Sequence, residues 1–257
     1  MDILQSIFLG VLQGVMEWLP VSSQGQTMLV MLNFMQIDLA DAMSVAILLH
    51  IGTMLAVIIK FRNDFVSMLS RDSKLLKMIL TATLSTAITA LPLLIFIKNL
   101  FATGEIANIL IAVMLILTGL ILGVQKRMSS SYRTLKEVTT KDMVLAGLAQ
   151  GFSILPGISR SGTTITALLM CGIEQELALK LSFIMSVPAV LGAIVLFDVR
   201  SGFKTAGCAF MVLSALIIGY LTIDLLLRFA KRVNFAYFCV SLGVLTLLVS
   251  QLPVLLS

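Results

Sequence analysis

Long apolar runs separated by short polar breaks dominate this chain, and within the runs hydrophobic residues do not alternate with polar ones. Runs at about 42–60, 78–97, 109–125, 178–197, 206–227 and 234–250 have the length needed to cross about 30 Å of hydrocarbon as helices. Two further apolar regions, about 3–34 and 143–172, are broken near their middles at Leu19-Pro20 and Leu155-Pro156. Each half is too short to cross alone, so both regions read as hairpins that dip in and return to the side they left. A β-barrel would need alternating segments of about ten residues, and none is visible. The expected fold is an all-α polytopic membrane protein with six transmembrane helices and two re-entrant helical hairpins.

Composition agrees. Of 257 residues 59% are hydrophobic and 12% charged, against about 25% charged in soluble domains. The start, MDILQSIFLGVLQG, carries Asp2 where a secretory signal has basic residues and shows no small-residue cleavage site, so it is expected to stay in the mature protein. Cys171, Cys208 and Cys239 lie far apart in apolar sequence, without zinc or disulfide spacing. The net charge of +5 is read as basic cytoplasmic loops rather than as a nucleic-acid surface.

The charges also orient the chain. If both hairpins return to their own sides, the Lys60–Lys77 loop, the Lys126–Lys141 loop and the Arg228, Lys231, Arg232 cluster share one face, with thirteen Lys and Arg. The other face receives Lys98, Arg200 and Lys204. The positive-inside bias places the rich face in the cytoplasm of a plasma-membrane protein, with both termini and the site opening outside. The first hairpin then enters from outside and the second from the cytoplasm, as inverted halves do.

The breaks themselves look like copies: LQGVMEWLPVSSQGQT (Leu12 to Thr27) and AQGFSILPGISRSGTT (Ala149 to Thr164). A shift of 137 residues aligns Gln13-Gly14 with Gln150-Gly151, Ser22 with Ser159 and Gly25 with Gly162, given one-residue gaps around the Leu-Pro pairs. One membrane domain over 1–257 follows, with inverted repeats at about 1–125 and 143–257 joined by a cytoplasmic loop at about 126–142; chance similarity of two Gly/Pro-containing stretches is the competing account. Discontinuous helices meeting near the midplane are a transporter-like device.

Irregular backbone survives at membrane depth only where protein or a water-filled cavity covers it. Half-helices that start there aim N–H groups and positive dipole ends into that cavity, which favours an anion. Gly157, Gly162 and Gly25 permit close approach; Ser22, Ser23, Ser159, Ser161, Thr163 and Thr164 supply hydroxyls; Arg160 adds a planar fork for phosphate or carboxylate. Glu17 fits less simply, since a carboxylate repels phosphate. It would hold a divalent cation, accept a proton, or pair with Arg160 in the empty site, and a purely structural Glu17–Arg160 bridge is the bland reading. Gln13, four residues earlier on the same helical face, would share a metal or orient a water with Glu17.

EWLPVSSQGQ resembles the first signature, and PGISRSGTT the second, of the integral-membrane undecaprenyl-diphosphate phosphatases linked to bacitracin resistance, and the similarity runs essentially end to end. The resemblance implies six transmembrane helices with two re-entrant hairpins. It implies Gln13 and Glu17 at the family's acidic pair, Ser22 and Ser23 at its paired serines, and Arg160 as its arginine, with Ser159, Ser161 and Thr164 lining the phosphate site. One departure stands out: Gln26 occupies the place of the family's histidine and cannot take up a proton. The single histidine, His50, lies mid-depth in the first full span, either as a hydrogen-bonded structural residue or as a substitute imidazole.

The expected activity is hydrolysis of a polyprenyl diphosphate to the monophosphate and inorganic phosphate, with Glu17, Ser23 and Arg160 catalytic. Gln13, Ser22, Gln26, Gly157, Ser159, Ser161, Gly162 and Thr164 would contact substrate, and Mg²⁺ or Ca²⁺ would assist at Glu17 and Gln13 without an organic cofactor. Ser22, or a metal-activated water, is the rival nucleophile. A flippase for the lipid phosphate is the competing function, and an ion-coupled carrier of small anions a more remote one. Small-residue and Met-rich helix faces would permit a homodimer.

Overall fold

The computed structural model describes residues 1–70, 73–100, 104–125, 133–197, 199, 207–230 and 235–256. Its helices are α1 (Ile3–Met16), α2 (Ser23–Asn33), α3 (Leu39–Lys60), α4 (Arg62–Met68), α5 (Lys74–Leu100), α6 (Gly104–Gln125), α7 (Thr140–Gly151), α8 (Arg160–Met170), α9 (Gln175–Leu196), α10 (Cys208–Ala230) and α11 (Phe235–Leu256). Among the described residues there is no strand beyond one isolated bridge, Arg133 to Ile173. Helices α3, α5, α6, α9 and α10 are long and apolar enough to cross a membrane; in α11 the described apolar stretch, Ala236–Leu248, is shorter. The all-helical, multi-pass reading therefore holds. Arg71, Lys126, Arg127, Arg200, Lys204, Lys231 and Arg232, part of the charge asymmetry, lie outside the described residues.

Both expected breaks are present. Helix α1 stops at Met16, Glu17 caps it, and α2 restarts at Ser23. Helix α7 stops at Gly151, passes through a short 3₁₀ turn at Phe152–Ile154, and α8 restarts at Arg160. The restarts are 137 residues apart, and the same shift carries all of Ser23–Asn33 onto Arg160–Met170. Local chemistry explains them: proline lacks an N–H for the helical ladder, and Ser22 and Ser159 cap the new helices by accepting N–H bonds from Gly25 and Gly162.

The halves interlock. Helix α1 packs on α10 and α7 on α5, so each broken segment leans on a full-length helix from the other half of the chain; α6 packs on α11, and α3 sits against α9 and α10. Glycines set these approaches. A Cβ on Gly10 would meet Met211 O at 2.4 Å, and one on Gly147 would meet Ala82 O at 2.3 Å. One turn on, a Cβ on Gly14 would meet Gly219 N at 2.8 Å and one on Gly151 would meet Thr86 O at 2.7 Å. Small residues four apart let backbones close together where lipid offers no hydrophobic drive for helix association. Helix α3 is the central span, with 67% of its apolar window buried against 22% for α10.

End contacts separate the two broken segments. The start of α1 lies by Gly207, where an added Cβ would meet Ser6 Oγ at 2.0 Å, and the end of α2 pairs Asn33 with Asn108 of α6 at 2.9–3.2 Å. The start of α7 and the end of α8 lie at the opposite end of the bundle. There Arg133 donates to both Asp142 oxygens (3.2 and 2.7 Å) and to the carbonyls of Cys171 and Glu137 (each 2.6 Å). Burial pushes the Asp142 carboxyl up, but hydrogen bonds from Arg133 and Thr139 outweigh it and hold the group below its ordinary value. The same end carries the Lys60–Asp224 pair, Lys180–Asp64 at 2.6 Å, and Lys74 bonded to Lys136 O at 2.7 Å.

If the glycine contacts set the helix spacing, Gly147→Leu is expected to lower stability by at least about 1–3 kcal/mol, the usual cost of overpacking. Gly123→Ala, where an added Cβ meets nothing within 4 Å, is expected to be neutral or slightly stabilising. Thermal unfolding of both variants in detergent checks this.

Candidate active site

The tips of the two breaks touch. A Cβ on Gly25 would lie 3.1 Å from both Cα and N of Gly157, and one on Gly162 would lie 3.5 Å from Pro20 Cβ. Gly157 itself has φ +101, and a Cβ there would collide with Ile111 O at 2.6 Å, so only glycine fits. Ser22 also lies in the left-handed region, at φ 57. Such backbone costs a non-glycine residue on the order of 1–3 kcal/mol. What holds it is its own hydroxyl, which accepts the N–H of Gly25 (3.4 Å) and, across the interface, the N–H of Gly157 (3.2 Å). The second tip is clamped by Thr118 of α6, which donates to Gly157 O (3.0 Å) and accepts from Ser159 N–H (3.1 Å).

This contact delivers Glu17 to Arg160. Arg160 Nη2 donates to Glu17 Oε1 at 2.5 Å and Nη1 to the Ser182 carbonyl at 3.0 Å. Its guanidinium lies 5.9 Å from the centre of the Phe183 ring. Oε2 of Glu17 accepts from Gln13 Nε2 (2.9 Å) and Ser23 Oγ (2.6 Å), with His50 Nε2 at 3.3 Å. Glu17 is 7% exposed. A carboxylate this deep is held by four partners from four helices or turns. Trp18 fixes the turn: its indole N–H bonds Gly219 O at 3.1 Å, and it packs edge-on against Phe183 at 5.3 Å.

Ser23 and Arg160 occupy the same position, the first residue of the restarted helix, in the two related segments. The positive ends of α2 and α8 thus meet at one place. A cavity of about 200 Å³ opens there, lined at this end by Glu17, Ser22, Ser23, His50, Ser159, Arg160 and Ser161.

The remaining expected residues stand back from the cavity wall. Gln13 is fully buried behind Glu17. Gly157 and Gly162 form the tip contact, and Thr164 bonds Arg160 O (2.8 Å) and the Ser182 hydroxyl (2.5 Å), bracing the arginine from behind. Gln26 donates to Val21 O at 3.1 Å and stabilises the first turn of α2. His50, not Gln26, brings an imidazole to the acid. Its Nδ1 lies 2.7 Å from the Ala46 carbonyl, an acceptor only, so that nitrogen carries a proton and Nε2 is the one that faces Glu17.

Sequence reading missed Trp18, Thr118, Ser182 and Phe183. Trp18 was detectable as the single tryptophan beside the acid. The other three carry no local signal, because a lone Ser, Thr or Phe in an apolar span looks like any other.

The chain matches the family model described as bacitracin resistance protein BacA over residues 6–247. It belongs to that family. An undecaprenyl-diphosphatase of Methanothrix thermoacetophila is 51% identical over 257 residues, spanning 98% of this chain and 99% of that protein. Proteins of the same name from Methanococcoides burtonii and Sulfurisphaera tokodaii are 40% and 35% identical, over 95% and 100% of this chain. The match embraces both broken segments and every helix of the site.

Removing one partner of a buried pair strands the other charge, at about 3–5 kcal/mol. Glu17→Gln and Arg160→Gln are each expected to destabilise the protein by that order. The double variant is expected to lose less than the two singles together. Thermal unfolding of the three variants decides it.

Proposed function

We propose that this BacA-family chain is an integral-membrane undecaprenyl-diphosphatase, hydrolysing a polyprenyl diphosphate to the monophosphate and inorganic phosphate. The observation that carries it is the Glu17–Ser23–Arg160 constellation on a cavity, in a chain 51% identical over nearly its whole length to a protein of that name. A flippase for the same lipid gains no observation of its own.

Arg160 and Glu17 neutralise each other. An arriving terminal phosphate offers Arg160 a better-matched, doubly charged partner, and the helix ends and hydroxyls of Ser159 and Ser161 complete the cradle. Glu17 is then freed to act as a base. Ser23 already donates to it at 2.6 Å; as that proton passes to Oε2, Ser23 Oγ attacks the terminal phosphorus. The bond from phosphorus to the bridging oxygen breaks, and its electron pair leaves with the polyprenyl monophosphate. Once the first proton has passed from Glu17 to His50, water gives a proton to the same carboxylate and its oxygen attacks the phosphoserine phosphorus; the bond from phosphorus to Ser23 Oγ breaks, Oγ takes the proton back from Glu17, and phosphate leaves as His50 gives up its proton to solvent. Positioning and charge stabilisation supply most of the acceleration in such transfers. Ser22 is a poorer nucleophile in this arrangement, since its oxygen is occupied by two N–H donors.

Among the described residues no group of three or more His, Cys, Asp or Glu could hold a metal ion. Of the two expected ligands only Glu17 reaches the cavity; Gln13 stands behind it with Nε2 donating to the carboxylate, so it would act on a cation only through Glu17. A single carboxylate suits a hard cation whose other ligands are water and substrate oxygens. Mg²⁺ or Ca²⁺ held there would offset phosphate charge.

The topology we propose has six spans and two re-entrant hairpins in inverted repeats, with the basic loops cytoplasmic and both termini outside. It is supported by the placement of the ends of α1–α2 and of α7–α8 at opposite ends of the bundle, and by the matching 137-residue shift.

Arg160→Ala and Ser23→Ala are expected to reduce phosphate release from undecaprenyl diphosphate in detergent by about 10²–10⁴-fold, and rapid quenching is expected to trap phosphate on Ser23. Near-normal turnover in folded Ser23→Ala would transfer the role to water. His50→Gln is expected to lower kcat more than it raises KM and to remove one limb of the pH–rate profile; an unchanged profile would leave the ring a structural part.

A further inference from the structure

The helix that carries Arg160 is short and built largely from small residues. From Arg160 to Thr166, Ile165 is the one large apolar side chain of α8; the others after the arginine are Ser, Gly and Thr. Such a surface offers few interlocking contacts to resist sliding along the helix axis. The depth of Arg160 therefore depends on how the two ends of α8 are tied. Thr118 of α6 ties the inner end, through Gly157 and Ser159. The outer end is tied by Arg133, a residue that no step of the proposed reaction uses.

Arg133 gathers three pieces of chain. Its guanidinium grips both oxygens of Asp142, in the first turn of α7, and its Nη1 also caps the last turn of α8 by donating to Cys171 O at 2.6 Å. Its backbone N–H donates to Gly172 O at 3.0 Å, and its carbonyl accepts from Glu174 N–H at 3.1 Å. Gly172 makes that turn with φ +77. Asp142 is 9% exposed and cannot swing away, because it also accepts the N–H and the hydroxyl of Thr139 at 2.8 and 2.9 Å. Helix α7 is a firm reference for this grip, since Gly147 and Gly151 seat it on α5 at backbone contact. A lysine, a single point charge, could not hold a carboxylate and carbonyls in this forked way. Among the described residues the first hairpin shows no such latch: Asp2 caps its own helix, and Asn33 reaches across to α6.

We infer that Arg133 is a positioning residue for the reaction: by locking the outer end of α8 to α7 it sets the depth at which Arg160 meets Glu17 and the phosphate. From Arg160 to Met170 is about 15 Å at 1.5 Å per residue, and a helix of that length moves as a rod. A slide at Cys171 thus arrives undiminished at the guanidinium. Misplacement by about 1 Å from a change far from the chemistry can cost on the order of 10²-fold in rate. The inference rests on the phosphatase reading for the reaction it serves.

A double-mutant comparison separates positioning from general loosening. Arg133→Ala is expected to lower kcat/KM for phosphate release from undecaprenyl diphosphate about tenfold in the wild type. In Arg160→Lys, whose ammonium cannot make the forked contacts being positioned, the same change is expected to cost less than about twofold. Equal losses in the two backgrounds, or no loss in folded Arg133→Ala, overturn the proposal. Asp142→Asn cuts the same latch from its other side at unchanged size; it is expected to show the same pattern and replaces Arg133→Ala if that variant does not fold. A second readout is independent of turnover. Trp18 is the only tryptophan and packs on the Phe183 ring beside the Arg160 guanidinium, so its fluorescence reports a phosphate drawn to that arginine. Titration with undecaprenyl monophosphate is expected to give a Kd about tenfold weaker for Arg133→Ala than for wild type, a difference lost in Arg160→Lys. Equal Kd values in Arg133→Ala and wild type overturn the positioning role. If the wild type releases no phosphate, the hydrolase reading fails while the titration still judges Arg133.

Discussion

The ion pair between Glu17 and Arg160 is the constraint to which the rest of this protein is fitted. Two opposite charges lie 143 residues apart in sequence and in contact in space, nearly sealed from solvent. Ions so placed are costly unless every lone pair and proton is met, and here the surroundings meet them: Gln13, Ser23 and His50 on the acid, Ser182 and Phe183 on the base. The pair as a stabilising device is poor value, since apolar residues of similar size often serve as well. As a poised device it makes sense. In the mechanism proposed above, each charge is the other's placeholder until a phosphate arrives, and the acid acts as a base once the guanidinium is drawn away.

Bringing those charges together demands that two helices be broken at depth and their broken tips be pressed against each other. That demand explains features otherwise hard to justify. Ser22 is held in a left-handed conformation, Gly157 can be nothing but glycine, and Thr118 sacrifices both its donor and its acceptor to hold the second tip. The glycine pairs on α1 and α7 do the same work at longer range, seating each broken segment against a full-length helix so that tip geometry is inherited from backbone packing. Interiors packed this closely transmit position well.

The inverted-repeat topology proposed above accounts for how two unlike groups come to face one cavity. The first residue of the restarted helix is Ser23 in one copy and Arg160 in the other. The glutamine that supports Glu17 in the first copy has a counterpart, Gln150, that faces the cavity in the second. Related scaffolds present different side chains at equivalent points, and their meeting creates a site that neither has alone.

The local chemistry of the chain was enough to place the apolar spans, both breaks and the two embedded charges, because hydropathy and proline act over a few residues. It also showed that the two breaks share a residue pattern at a shift of 137. What it left open were choices made across long sequence separations: that an imidazole reaches Glu17 from His50 while Gln26 turns to its own backbone, that Ser182 and Phe183 brace the arginine, and that α1 leans on α10 and α7 on α5. Those depend on which helix faces meet, and a helix with apolar residues on every side gives no sign of its neighbours. Only the folded bundle, by fixing the approach of small residues to backbone, decided which polar atoms would share one cavity.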